Sequence, residues 1–311
     1  MGSLQIVGLG TACLDILVRL DEMPTWERRT RPSALRIDGG GPVGTACVAA
    51  ARLGARVGYV GTAGNDELGE LKLSSFVRDG VDLSHLIVRN DIEHDLVLVC
   101  VHEGTGERIF CTLQSFAESP VRPEELDRGY ITSADYLHLD GIHLEAAVQA
   151  ARWMHEAGKQ VMLDAWKMQD TDVHPRFRRL IGEADILIAG LGFVPILTGK
   201  SDLREAGRAA LALGPRIVVQ TEGADGSYTV TADEEFHTPA FPVRVVDTTG
   251  AGDVFHGAYL VGLLHGWDLR RVATFASAVS AIECTRLGGR AGIPRYPEVI
   301  AFLNEQGVEI E

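Results

Sequence analysis

The chain has 311 residues, 46% of them hydrophobic, which is enough to bury a large core and too apolar for a disordered protein. Its 29 Lys and Arg against 43 Asp and Glu leave a net charge of −14, which argues against nucleic acid or an anionic membrane as the main partner and for a small-molecule ligand. Five cysteines, odd in number and widely spaced, predict reduced thiols in a cytoplasmic protein, and no apolar run is long enough for a membrane span.

In chain order, "LQIVGLG" (4–10) reads as a strand, and the stretch from about 14 to 38 carries no helical period. The Ala-rich "GTACVAAARLG" (44–54) reads as a helix, "RVGYVG" (56–61) as a strand and "DELGELKLSSFVRDG" (66–80) as a helix. "HDLVLVCVHEGTGERIFCTL" (94–113) predicts two alternating strands about a glycine turn, with no helix between them. The segments 14–38 and 94–113 therefore predict a small accessory sheet over one end of the main body.

From 135 onward the βαβ rhythm resumes: strands at "DYLHLDG", "KQVMLD", "ADILIAG", "RIVVQTEG" and "VRVVD", helices at "LEAAVQAARWMHEAG" and "SDLREAGRAALALG", then three closing helical segments. The strands are apolar enough for the centre of a parallel sheet, so the fold class is α/β, a three-layer αβα sandwich with a mainly parallel sheet. With no linker, low-complexity tract or repeat, residues 1–311 are expected to form a single domain.

The stretch "DTTGAGDVFHGAYL" (247–260) places glycines where a strand hands over to a helix with Val254, Ala258, Val261 and Leu264 on one face. The first amides of a helix have no internal partner and its dipole is positive there, so this turn would cradle a phosphate. Asp253 borders the cradle and could take the proton of an attacking hydroxyl, although the same residues would suit an ordinary capping aspartate. Only Lys72, Lys159, Lys167 and Lys200 are lysines, so phosphate chemistry would lean on arginine, amides or metal. "GLGTAC" (8–13) begins like a dinucleotide fingerprint but has Cys13 at the third glycine, and "LTGKS" (197–201) ends like a P-loop but has Val194 at the first.

"DTTGAGDVFHGA" and "GGGPVGTACVAAARLGARVGYVGTAGNDELG" (39–69) resemble the two signatures of the ribokinase (PfkB) family of carbohydrate kinases, and "TEGADG" (221–226) resembles its nucleotide turn. The resemblance implies a ribokinase-like sandwich with a β-sheet lid and ATP- and Mg2+-dependent phosphorylation of a sugar hydroxyl. By position it implies Asp253 as base, the amides of Gly250, Ala251, Gly252 and Asp253 as anion hole, and Thr221, Gly223, Gly226 and Thr248 along the nucleotide. Asp15, Asp38, Gly40, Gly41 and Asp140 would meet the sugar, with Thr45 where the family usually has asparagine. A monovalent cation such as K+ would be held mainly by carbonyls of Asp247, Thr249, Glu283, Arg286, Gly288 and Gly292. A homodimer through the lid is the implied assembly.

Departures accompany the resemblance. Gly190 and Phe193 stand where the family carries an Asn-x-x-Glu motif, which leaves the residue organising Mg2+ unnamed. The run 245–258 and the tail "CTRLGGRAGIP" look most like the sulfofructose kinase branch, yet Gly141 and Thr112 occupy its expected sulfonate-binding positions. Arg28, Arg29 and Arg31 could meet an anionic substituent or form a solvated surface, and Trp166, Lys167 and His143 could line the pocket or cover the sheet. A sensor that keeps the fold without turnover stays open as a second class.

Overall fold

A computed structural model describes residues 3–112, 119–166, 173 and 175–310. The chain runs through β1 (Ile6–Leu9), β2 (Cys13–Leu20), β3 (Ala34–Gly40), α1 (Pro42–Arg52), β4 (Val57–Val60), β5 (Thr62–Gly64), α2 (Glu67–Asp79), β6 (Ile87–Arg89), β7 (Leu96–His102) and β8 (Arg108–Thr112). Then follow α3 (Arg128–Thr132), β9 (Tyr136–Leu139), α4 (Leu144–Glu156), β10 (Gln160–Ala165), α5 (Pro175–Ile181), β11 (Ile186–Ala189), α6 (Phe193–Thr198) and α7 (Leu203–Leu211). The last part holds β12 (Ile217–Thr221), β13 (Ser227–Val230), β14 (Glu235–Thr238), α8 (Ala251–Leu264), α9 (Leu269–Glu283) and α10 (Tyr296–Glu305).

Eight strands form the main sheet in the order β14-β13-β12-β11-β10-β9-β1-β4, parallel from β4 through β12 and antiparallel at the β13–β14 end. Alternate side chains of the apolar strands enter two cores, one on each face. Ile6, Met162 and Ile188 pack with Val254, Tyr259, Phe275 and Phe76 on one side. Val7, Leu163 and Leu187 pack with Ala147, Met154 and Phe177 on the other. Burying each such large side chain contributes roughly 1.5–3 kcal/mol. Asp66, Asp202 and Asp268 cap α2, α7 and α9 by accepting hydrogen bonds from first-turn amides, each cap worth about 1 kcal/mol.

The expected lid is a separate four-stranded sheet, β3-β2-β7-β8, in which β2 and β7 are parallel and the outer pairs antiparallel. Register sorts its faces. Asp38, Asp15, Val97 and Thr112 form one cross-strand row, Arg36, Leu17, Val99 and Phe110 the next, and Val101 pairs with Arg108 beyond them. Leu17, Val97, Val99 and Val101 are buried, so this face looks inward. The opposite face carries the exposed Leu35, Ile37 and Ile109.

One expectation is corrected. Residues 243–247 are not a buried strand: Val245 is exposed, and the amides of Val246 and Asp247 donate to the Cys284 carbonyl at 2.8 and 3.3 Å, at the end of α9. The β13–β14 hairpin already closes that edge of the sheet. α8 is apolar well beyond the face of Val254, Ala258 and Val261. Every residue from 254 to 262 is buried, because the helix lies between the sheet, α1 and α9.

Candidate active site

The loop that enters α8 holds Gly250 at φ 78°, where a Cβ would lie 2.6 Å from the Gly289 carbonyl oxygen, so both its conformation and its neighbour require glycine. The Ala251 amide donates to Thr248 at 3.3 Å, and Val254 is the first to reach a Gly250 carbonyl, at 2.8 Å. Among the described residues no backbone carbonyl accepts from the amides of Gly252 or Asp253. Gly252 is exposed and a Cβ there would touch nothing within 4 Å. The positive end of α8 is therefore open to solvent, as an anion cradle requires.

Asp253, the third residue of α8, is half-buried. Burial, followed by the negative charge of Asp164, pushes its carboxyl up to about 7 against the opposing pull of His256 and Arg108. A carboxyl so placed exchanges protons near neutral pH, which suits a base for a sugar hydroxyl. Asp164 ends β10 and its Oδ2 lies 2.9 Å from Nδ1 of His256 on α8.

Arg108 reaches this site from the lid, donating to the hydroxyl of Thr248. Sequence reading missed it. The signal was present in "GTGER": the turn glycine Gly106, at φ 71°, starts β8 so that Arg108 falls on the inward row with Val101. Gly106 itself approaches Val245 and Val246, which brings the lid hairpin against the loop before α8.

At the sugar end, Asp15 is buried at the base of the lid, and burial pushes its carboxyl up to about 6. It accepts from the Cys13 thiol at 3.1 Å, and a Cβ on Gly40 would lie 2.2 Å from its Oδ2, so Gly40 leaves room for it. Asp38, opposite Asp15 across β2 and β3, turns to Arg36 Nε at 3.3 Å and to the Arg290 amide at 3.3 Å. Gly41, at φ 87°, starts α1 against Thr11 and Ala12.

Two expected sugar contacts have other partners. Asp140 is fully buried and accepts from the amides of Thr11 at 2.6 Å and Ile142 at 3.0 Å, bracing two loops. Thr45 is fully buried and accepts from Arg290 Nε at 3.2 Å. The Arg290 guanidinium, another group missed in sequence, also donates to Ser75 Oγ at 2.7 Å and to the Gly40 carbonyl at 2.5 Å. It lies directly under the glycines of the 39–44 strip.

For the nucleotide, Thr221 ends β12 and donates to the Ala189 carbonyl at 3.3 Å. Gly226, at φ 89°, has no room for a side chain because a Cβ would lie 2.1 Å from the Thr238 carbonyl, whereas Gly223, at φ 58°, faces open space. The missing Asn-x-x-Glu positions are apolar in fact: Phe193 is buried edge-on to Phe177, and Gly190 receives the chain from β11.

The proposed cation loop closes around Asp247. Its Oδ1 accepts from the Thr249 amide at 2.9 Å and hydroxyl at 2.8 Å, and its Oδ2 from the Gly288 amide at 2.9 Å. Beside it Glu283 is fully buried, and neither carboxylate oxygen has a hydrogen-bond partner. Burial and then the charges of Asp247, Asp38 and Asp253 hold its carboxyl well above the usual range. The Glu283 carbonyl accepts from the exposed Arg286 at 3.2 Å and leaves no space for a side chain on Gly292. These oxygen donors fit a cation.

Arg28 pairs with Glu22 at 2.5 Å on the lid exterior, and Arg29 is exposed like Arg31. Trp166 packs edge-on to Phe177, Lys167 and residue 113 of the lid segment lie outside the described residues, and His143 accepts from the Val121 amide at 3.2 Å. Gly141, at φ 74°, forms the turn after β9, and Thr112 is exposed on the Asp15 row. All five cysteines are free. Among the described residues no helix is long and apolar enough to cross a membrane.

Comparison with known proteins places the chain in a family. The profile of the pfkB family of carbohydrate kinases matches residues 6–295. The 5-dehydro-2-deoxygluconokinase of Shouchella clausii is 30% identical over 98% of this chain and 97% of its own. Among solved structures, a ribokinase of Thermotoga maritima superposes with a TM-score of 0.81 at 25% identity, covering 97% of this chain and 99% of its own. The Arabidopsis thaliana ribokinase complexed with ribose and ATP superposes at 0.80 with 23% identity, covering 97% and 99%.

Proposed function

The chain belongs to the pfkB family of carbohydrate kinases, and from that premise we propose that it transfers the γ-phosphoryl group of ATP to a hydroxyl of a sugar or sugar acid, with residues 1–311 acting as one kinase domain. The observation that carries this reading is Asp253 beside the unpaired amides at the mouth of α8, with its carboxyl tuned to about 7. The nucleotide lies along Thr221, Gly223, Gly226 and Thr248. The sugar sits between Asp15, the backbone of Gly40 and Gly41, and the lid.

Asp253 takes the proton of the attacking hydroxyl, and the amides of Gly250, Ala251, Gly252 and Asp253 receive the charge that builds on the phosphoryl oxygens. Arg108, carried by the lid, adds a cation on the opposite side and helps exclude water when the lid covers the sugar. The concentration of carboxylates at this end, Asp253, Asp164 and Asp15, fits a nucleotide that arrives with Mg2+, which supplies charge neutralisation of the phosphates. Asp247 and Glu283 would hold K+ behind the cradle and so fix the loop that carries the amides. Free thiols suit a reducing cytoplasm, and the apolar outer lid face suits a dimer.

The test is ADP production against ketoses, pentoses, nucleosides and sugar acids, compared between the parent and Asp253→Asn. A folded variant that turns over as fast as the parent removes Asp253 as base. The apolar Phe193 favours a second reading, a sugar sensor that binds but does not transfer. Saturable sugar and ATP binding with no ADP from any member of the panel would establish it.

A further inference from the structure

Behind Asp253 lie three groups that the phosphoryl-transfer reading leaves unused. His138 of β9, Asp164 of β10 and His256 of α8 are all buried, with candidate ligating atoms within 4.8 Å of one another. Strand alternation brings them together: Tyr136 and Met162 face the α8 side of the sheet, and His138 and Asp164 are each two residues further along. His256 is three residues after Asp253, on the same face of α8. Its ring stands edge-on to His138, with centroids 5.7 Å apart.

An isolated carboxylate in this layer would be very costly, and Asp164 is answered by His256 Nδ1 at 2.9 Å. Burial alone would discharge His256, but the carboxylates of Asp164 and then Asp253 hold it above its ordinary value. Burial keeps His138 neutral, so it contributes shape and no charge. His256 thus stands against the Asp164 carboxylate of the sheet, one helical turn beyond Asp253. Other charges that act on Asp253 come from outside this layer: Asp15 from β2 and Arg108 from the lid strand β8, while Glu283 of α9 is in turn raised by Asp253. Arg108 is exposed and belongs to the lid, whereas His256 belongs to the fixed body.

Resting on the reading of Asp253 as base, we infer that the Asp164–His256 ion pair is a positioning device for it: the buried pair, one helical turn away on α8, favours the ionised form of Asp253 whether or not the lid is closed. Charge balance gives the pair a signature that packing would not produce. Removing His256 alone leaves Asp253 facing the bare Asp164 carboxylate, so Asp253 should be harder to ionise. Removing Asp164 as well takes away that repulsion, so the double variant should return toward the parent.

The test uses full-length protein labelled with [13Cγ]aspartate, the Asp253 resonance being assigned by its loss in Asp253→Asn. This readout needs no substrate, so it stands even if the chain proves to transfer nothing. His256→Gln should raise the Asp253 titration midpoint by about one to three pH units, the size expected for loss of an adjacent opposite charge. His256→Gln combined with Asp164→Asn should bring the midpoint back most of the way. On the sugar that the parent phosphorylates, the acid limb of kcat should move in the same order, with KM for ATP little changed. A midpoint that stays put in a folded His256→Gln, or a double variant displaced further than the single one, overturns the inference. So would a stoichiometric transition metal in the purified protein that is lost in His138→Ala, since the three side chains would then be its ligands.

Discussion

The Arg290 guanidinium sits 4.7 Å over the ring of Phe76, fully buried, with its nitrogens donating to Thr45, Ser75 and the Gly40 carbonyl. A charge this deep is held by its hydrogen bonds, by the aromatic face and by the nearby carboxylates of Asp38 and Asp15. Because Gly39 and Gly44 both press against it, the arginine sets the height of the glycine strip beside the proposed sugar site. Arg290→Ala would strand three polar partners around a cavity and should cost about 3–5 kcal/mol of folding stability. Arg290→Lys, with one point charge in place of a fork, should recover less than half of it. Urea midpoints of the three proteins check this, and a variant within error of the parent would contradict it.

Asp253 makes activity and stability run in opposite directions with pH. As base it must be ionised, so kcat/KM should rise tenfold per pH unit below about 7 and level off above it. For stability the folded carboxyl lies above its ordinary 3.8, so the folded state holds a proton that the unfolded state has released. That contribution is complete below about pH 4 and is lost as pH rises through about 7. Asp253→Asn should therefore unfold at a higher temperature than the parent at pH 8, with the difference gone below pH 4, while its kcat falls by about 10²–10⁴. Calorimetry across that range and turnover at pH 8 measure the two halves separately.

Much of this arrangement was visible in the sequence because it is local. Central parallel strands read as unbroken apolar runs, and a glycine turn with an acid on a helix threshold singled out residues 250–253 before any contact was known. What failed was long-range. Residues 243–247 alternate like a strand but find no ladder, since β13 and β14, short and partly polar, had taken the sheet edge. Arg108 meets Thr248 across 140 residues and Arg290 meets Gly40 across 250, so neither could be placed without strand order. Asp164 and His256 likewise become partners only when β10 passes under α8.

Glu283 predicts a dependence on monovalent cations. Its carboxyl is buried, unpartnered and pushed well above the usual range by burial and then by Asp247, so a cation in the folded loop would be needed to let it ionise. KCl should raise the thermal midpoint above that in N-methylglucamine chloride of equal ionic strength, the fold being stabilised by about 2.7 kcal/mol once K+ reaches a hundred times its dissociation constant. Glu283→Gln should be the more stable protein without K+ and should gain less from it. Equal gains in both proteins would show that the cation acts elsewhere.

The outer lid face predicts the assembly. Leu35, Ile37 and Ile109 are 65, 51 and 51% exposed, and register places Leu35 and Ile109 in one cross-strand row with Val18 and Cys100. Trp26 stands fully exposed on the connection between β2 and β3. An apolar sheet face with β3 and β8 as its outer strands gains by covering itself with a second copy, and two such faces could bury on the order of 1,600 Å². Sedimentation should find a dimer for the parent and a monomer for Ile37→Glu combined with Ile109→Lys. Because Asp15, Asp38 and Arg108 lie on the opposite face of the same strands, the monomer should keep ligand contacts and lose lid rigidity, raising KM for the sugar more than it lowers kcat. A parent that sediments as a monomer at micromolar concentration would leave the apolar face without this partner.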